Sequence, residues 1–183
     1  MSHSQHPPDV RDALIVALAV ISGNRRGELH NLPLADMLDA LKQPEAGGMY
    51  RAYTNGKTGE AIMRFAPYHV PMIDRYLALR PENTSPYMFL NLNPAHVRYG
   101  LQLSLVGINR ARQKLCDAAG VPLITYQELR RRLATKIAIA TNPTIAAHAL
   151  NHSKYSGERV IRLFYYDPGK TAVDDQIAAA FDF

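Results

Sequence analysis

The chain has one cysteine, Cys116, so it cannot close an internal disulfide, and the expected compartment is a reducing cytoplasm. No apolar run approaches the roughly 20 residues that a membrane-spanning helix requires. The longest, Ala13 to Ile21, is short and sits in a helical pattern. The first eight residues, Met-Ser-His-Ser-Gln-His-Pro-Pro, lack the charged-then-apolar architecture of a secretion signal. Repeats and low-complexity tracts are missing as well. Acidic residues are in deficit, with 16 Asp and Glu against 21 Lys and Arg, for a net charge of +5. That balance suits a polyanionic partner such as nucleic acid without requiring one. What is present is 183 residues with 47% hydrophobic content, enough for one domain with a sizeable core. Residues 1–8 read as a leader or linker remnant and 9–183 as the domain.

Local patterns predict a mainly helical chain with a small antiparallel sheet, an α+β class. Asp9 is placed to cap a helix from Val10 to Ser22, which Gly23 stops. A second helix is predicted over Leu34–Leu41. Met49–Thr54 and Ala61–Phe65 read as strands, with Asn55-Gly56 as the hairpin signal between them. Pro71 to about Leu79 and Leu101–Ala119 read as helices, separated by a Pro-, Asn- and Ser-rich loop with a short apolar piece at Tyr87–Leu90. Thr125-Tyr-Gln-Glu128 has the form of a capping box and opens a helix to about Ala140. Pro143 starts a short helix ending near Asn151, and Glu158–Tyr166 is a further candidate.

Three separated segments carry the chemistry. The first is Ser22-Gly23-Asn24-Arg25-Arg26-Gly27-Glu28-Leu29, trailed by Leu32-Pro33-Leu34-Ala35-Asp36-Met37. The second is Tyr126-Gln127-Glu128-Leu129-Arg130-Arg131-Arg132. The third is Ala149-Leu150-Asn151-His152-Ser153, with the pair Tyr165-Tyr166 downstream. In this order and spacing they resemble the tyrosine recombinase (phage integrase) family, over about residues 10–170. The first is similar to that family's Thr-Gly-x-Arg-x-x-Glu-Leu box, the second to His-x-Leu-Arg, the third to Leu-Gly-His-Ser.

The resemblance implies the integrase catalytic-domain fold and a reaction that breaks and rejoins double-stranded DNA through a 3′-phosphotyrosyl bond. It implies Arg25 and Arg130 as the catalytic arginines, Glu28 as the supporting acid, and His152 as the second histidine. It puts Lys57, beside the hairpin signal, on the lysine that protonates the departing 5′-oxygen. Tyr165 is taken as the nucleophile, with Tyr166 as the alternative. Family members assemble as tetramers on DNA, carry a DNA-clamping domain ahead of this one, and use no metal or other cofactor.

Elementary chemistry supports such a site. A phosphodiester under attack gathers negative charge on its non-bridging oxygens, and arginine's planar fork meets that charge with paired, charge-assisted hydrogen bonds. A tyrosine hydroxyl, with a pKa of about 10, attacks best in a cationic site. Plainer readings stand beside these: Arg25 as a solvated turn, Arg130 as one residue of the basic run Arg130–Arg132, Lys57 as an exposed turn lysine, and either tyrosine as core.

Two departures mark this chain. Gln127 occupies the place of the usual histidine, and glutamine donates a hydrogen bond without shuttling protons near neutral pH. Tyr165 falls thirteen residues after His152, an interval longer than the family's two and a half turns by about one helical turn of ~3.6 residues, placed around Tyr155–Glu158. These two features support an alternative, a catalytically impaired DNA-binding protein on the same fold. A related one-strand-cutting topoisomerase would share the chemistry.

Other motifs are set aside. Gly56-Lys57-Thr58 and Gly169-Lys170-Thr171 lack the earlier glycine of a phosphate-binding loop, since Arg51 and Phe164 stand there, and no nucleotide cofactor is expected. His148 and His152 lie four apart, but no acid follows the metalloprotease pattern, so His148 reads as ordinary packing.

Overall fold

The computed structural model describes residues 6–44, 48–56, 59–82 and 85–150. The chain divides into two compact units, residues 1–129 and 130–183. The fold is mainly helical with one two-stranded antiparallel sheet, the class expected from the sequence.

The first unit opens with α1, Pro7–Ser22. It starts three residues before the predicted Val10, because Pro7 and Pro8 sit in the first turn, where a missing N–H costs nothing. Asp9 is therefore not the cap; it lies inside that turn and pairs with His6 at 3.4 Å and with Lys114. Val10, Leu14, Ile15 and Leu18 make the buried stripe, and Gly23 ends the helix at φ 61°, donating its N–H to Ala19. A five-residue helix, α2 (Arg26–His30), follows, which the sequence patterns did not predict. Then comes α3, Leu34–Lys42.

Strands β1 (Tyr50–Gly56) and β2 (Gly59–Phe65) pair in register from Tyr50↔Phe65 to Gly56↔Gly59. Asn55-Gly56 is thus not the turn itself. Both residues belong to the ladder, Asn55 opposite Glu60. Ala52, Thr54, Ala61, Met63 and Phe65 point inward, and the Tyr50 and Phe65 rings stack at 5.2 Å. A 3-10 turn at Pro67–His69 leads into α4, Val70–Ala78.

The apolar piece at 87–90 is extended. Tyr76, fully buried on α4, holds it in place: its hydroxyl donates to the Met88 carbonyl at 2.8 Å and accepts from Leu90 N–H at 3.1 Å. Burial raises the Tyr76 pKa to about 12, so that phenol stays protonated as a donor. The next helix, α5, spans Leu105–Ala119. It begins later than the predicted Leu101 for two reasons. Gln102 and Leu103 pair with the 89–90 segment, and the Ser104 hydroxyl caps the first turn by accepting from Gly107 N–H at 3.1 Å. Arg11 and Asp12 form a buried ion pair beneath this region, with Arg11 also donating to the Leu90 carbonyl at 3.0 Å.

Helix α6, Tyr126–Ala140, starts in the first unit and continues into the second. In the second unit its later turns pack with α7, Pro143–Ala149, around Ala134, Ala138, Ala146, Ala147 and Leu150. Asn142 caps α7 by accepting from Ile145 N–H at 2.9 Å. The candidate helix at 158–166 lies outside the described residues. No helix among the described residues is long and apolar enough to cross a membrane.

Candidate active site

Arg25 stands at the start of α2, in the turn that the left-handed Gly23 opens. Its partner is Glu28, which is 1% exposed. Glu28 Oε1 accepts from Arg25 Nη1 at 2.8 Å, while Oε2 accepts from Asn24 Nδ2 at 2.9 Å and from Arg25 backbone N–H at 2.8 Å. A buried carboxylate saturated in this way cannot rotate without losing charge-assisted bonds, so it fixes the guanidinium it holds. Only Nη1 of that guanidinium is engaged among the described residues, and the Arg25 side chain stays 41% exposed. Glu28, which the sequence resemblance named as a supporting acid, is the residue that bonds Arg25 here.

The hairpin is anchored to the same place. Thr54 Oγ1 donates to the Glu28 carbonyl at 2.7 Å, and Asn31 Nδ2 donates to the Asn55 carbonyl at 3.2 Å. Gly56 lies so close that an added Cβ would meet Glu28 Oε1 at 3.0 Å. The end of β1 therefore abuts the carboxylate that aims Arg25. Lys57, the next residue in the chain, lies outside the described residues, as do His152, Tyr155, Tyr165 and Tyr166.

The second box opens α6. Thr125 and Glu128 make the predicted capping box, with Glu128 N–H on Thr125 Oγ1 at 3.1 Å and Thr125 N–H on Glu128 Oε2 at 2.6 Å. Tyr126 is buried and donates its hydroxyl to the Ile108 carbonyl of α5 at 2.8 Å. Its pKa is pushed well above the usual tyrosine value, chiefly by burial; the charges of Arg112, Asp12 and Arg26 also act on it. Gln127 is exposed.

The structure separates the three arginines that the sequence left side by side. Arg130 is buried, at 4% exposure, whereas Arg131 and Arg132 are exposed. Arg130 Nη2 donates to the carbonyl of Leu150, inside the second unit. Leu150 is two residues before His152, so this bond ties the second box to the third. His148 is exposed on α7, not packed as the sequence suggested.

Sequence reasoning missed two features. One is Arg112 with Tyr126, for which no motif or periodicity gives a signal. The other is a cleft of about 390 Å³ at the start of α5, lined by Arg11, Asp12, His96, Arg98, Gln102 and Arg110 among others. Its lining sums to a cationic surface, because the one carboxylate there is already bound to Arg11.

No family model matches the chain. Over 134 residues it is 28% identical to a Sinorhizobium fredii (strain NBRC 101917 / NGR234) protein provisionally named integrase/recombinase y4rF, covering 72% of this chain and 30% of that protein. The chain therefore spans less than a third of the curated relative it matches. Among solved structures, XerA recombinase superposes with a TM-score of 0.66 at 19% identity, over 98% of this chain and 62% of that one. XerH recombinase in a post-cleavage complex with a palindromic difH substrate gives 0.69 at 19% identity, over 94% and 47%. A lambda integrase dimer on a core site gives 0.52 at 20% identity, over 86% and 44%. The architecture is thus that of the DNA recombinase and integrase catalytic domains. The chain thus shares the fold of the tyrosine recombinase catalytic domains, mainly helical with one small antiparallel sheet.

Proposed function

We propose that this chain is the catalytic part of a site-specific tyrosine recombinase that cleaves and rejoins double-stranded DNA. The observation that carries the reading is the Arg25 guanidinium, half-exposed yet locked by the fully buried Glu28, beside the end of β1 that leads to Lys57. A solvated turn arginine would have no need of a buried, triply bonded carboxylate. An arginine that must meet a phosphate at a set angle does, because preorganised donors stabilise developing charge without reorganising during the reaction. The DNA-bound relatives, including a lambda integrase tetramer on a Holliday junction, support DNA as the partner and a tetramer as the assembly.

In this reading Tyr165 Oη attacks the scissile phosphorus, a 3′-phosphotyrosyl bond forms, and the P–O5′ bond breaks. The departing 5′-oxygen takes a proton from Lys57. Arg25, Arg130 and His152 hold the non-bridging oxygens, and Gln127 adds a neutral donor. Rejoining is the reverse, with a 5′-hydroxyl as nucleophile. The bond energy is conserved in the phosphotyrosine, so no high-energy cofactor enters.

The test is a nicked duplex that traps the cleaved strand. Wild-type protein should give a denaturant-stable adduct mapping to Tyr165, and Tyr165→Phe should abolish it while DNA affinity survives. Attachment at Tyr166 would move the nucleophile by one residue. No adduct from wild type, with salt-sensitive DNA binding intact, would overturn the catalytic reading in favour of a DNA-binding protein on this fold.

A further inference from the structure

Arg112 projects from the middle of α5 and touches the second box just where that box begins. Its Nη1 donates to the carbonyl of Ile124 at 2.7 Å, and its guanidinium carbon lies 5.5 Å from the centre of the Tyr126 ring. Tyr126 in turn donates to Ile108, one turn earlier on α5. Ile124 and Tyr126 flank Thr125, whose hydroxyl caps α6. Arg112 and Ile108 thus grip the chain on both sides of the capping residue. The next residue is Gln127, and α5 itself packs on α1 and α2, the helices on either side of the Arg25 turn.

This grip is costly as a stabilising device. Arg112 Nε is buried and has no hydrogen-bond partner among the described residues. A buried donor left unpaired costs stability, because it has given up its water for nothing. A methionine would cover the Tyr126 ring with no such cost, and water could serve the partly exposed Ile124 carbonyl. What arginine adds is direction: a planar fork that bonds one carbonyl while lying over one ring.

We propose that Arg112 is a positioning residue, fixing the first turn of α6 so that Gln127 is presented at a set angle. This rests on the catalytic reading above, since Gln127 has a phosphate to meet only if that reading holds. Arg112 acts through Ile124 and Tyr126 and touches no substrate.

The experiment compares full-length wild type, Arg112→Met, Arg112→Lys and Tyr126→Phe. Adduct formation is measured on a nicked duplex at saturating DNA, together with DNA affinity, melting temperature and amide hydrogen exchange over residues 126–130 without DNA. Arg112→Met should keep DNA affinity within about twofold and lower the adduct rate at saturation roughly tenfold, the scale on which small misplacements act. Its melting temperature should not fall by more than a few degrees, and exchange at 126–130 should rise. Arg112→Lys should recover part of the rate. Tyr126→Phe keeps the ring and loses only the Ile108 bond; it should show a smaller loss in the same direction, and it carries the test if Arg112→Met fails to fold. Unchanged exchange with a rate within twofold of wild type would overturn the proposal. So would a loss confined to DNA affinity, or one that tracks the melting temperature. If wild type forms no adduct, the catalytic reading fails on its own, while unchanged exchange at 126–130 would still overturn the grip.

Discussion

Arg25 and Arg130 share a side chain and a proposed task, yet the protein holds them in opposite ways. Arg25 is 41% exposed and steered by charge, through a carboxylate buried to 1% beneath it. Arg130 is 4% exposed and held by enclosure, with the Leu150 carbonyl among its partners. Their settings differ in kind as well. The first unit packs mixed aliphatic and aromatic side chains such as Leu14, Phe65, Tyr76 and Phe89, whereas among the described residues of the second the buried cluster is Ala134, Ala138, Ala146, Ala147 and Leu150. A large core can bury a carboxylate and still supply it with three donors. The contrast is between a guanidinium held in the open by an ion pair and one held by burial, with a main-chain acceptor among its partners.

Four substitutions would sharpen or break that contrast. The largest effect is expected from removing either arginine: Arg25→Ala and Arg130→Ala should each lower adduct formation by about 10²-fold or more, the usual scale for one transition-state donor. Urea unfolding should also detect Arg130→Ala, because the buried Leu150 carbonyl loses its donor, a cost of about 1–3 kcal/mol. A loss below threefold for either arginine would break the comparison at its root.

Next comes Glu28→Gln, which keeps shape but removes the charge that steers Arg25. Adduct formation should fall roughly tenfold, as positioning losses do. The Asn24 amide now also faces an amide that must present its oxygen to it, so thermal stability should drop as well. An unchanged rate, read in the same nicked-duplex assay, would mean that Arg25 is aimed by something other than Glu28.

The smallest effect belongs to Gly56→Ala. The new methyl would press on Glu28 Oε1 at 3.0 Å, and that carboxylate can yield only by lengthening its bonds to Arg25. We expect a rate reduced severalfold with stability lowered by about 1 kcal/mol, the lower end of overpacking costs. A wild-type rate in this variant would show that the hairpin and the Arg25 turn are not mechanically linked.

The boxes around Arg25 and Arg130 were legible in the sequence because they are local strings, each with its chemistry inside a few residues. The capping box at Thr125–Glu128 and the Gly23 stop were legible for the same reason, since both obey short-range backbone rules. Element edges were less so. Pro7 and Pro8 were read as linker when they are the first turn of α1. Leu101–Ser104 were read as helix when pairing with residues 89–90 holds them extended. In both places a tertiary or positional factor outweighed propensity.

By itself the sequence determined the mainly helical class, the small sheet, the order of the boxes and the residue types available for phosphate chemistry. All of these follow from periodicity, turn chemistry and local strings. Only the tertiary structure decided that Glu28 is buried and bonded on both oxygens, that Arg130 rather than Arg131 or Arg132 is enclosed, that Gly56 abuts Glu28, and that Arg112 grips the start of α6. The physical reason is that burial and hydrogen-bond partnership are relations between residues far apart in the chain. Arg112 meets Ile124 and Tyr126, and Gly56 meets Glu28, only once the core has closed around them.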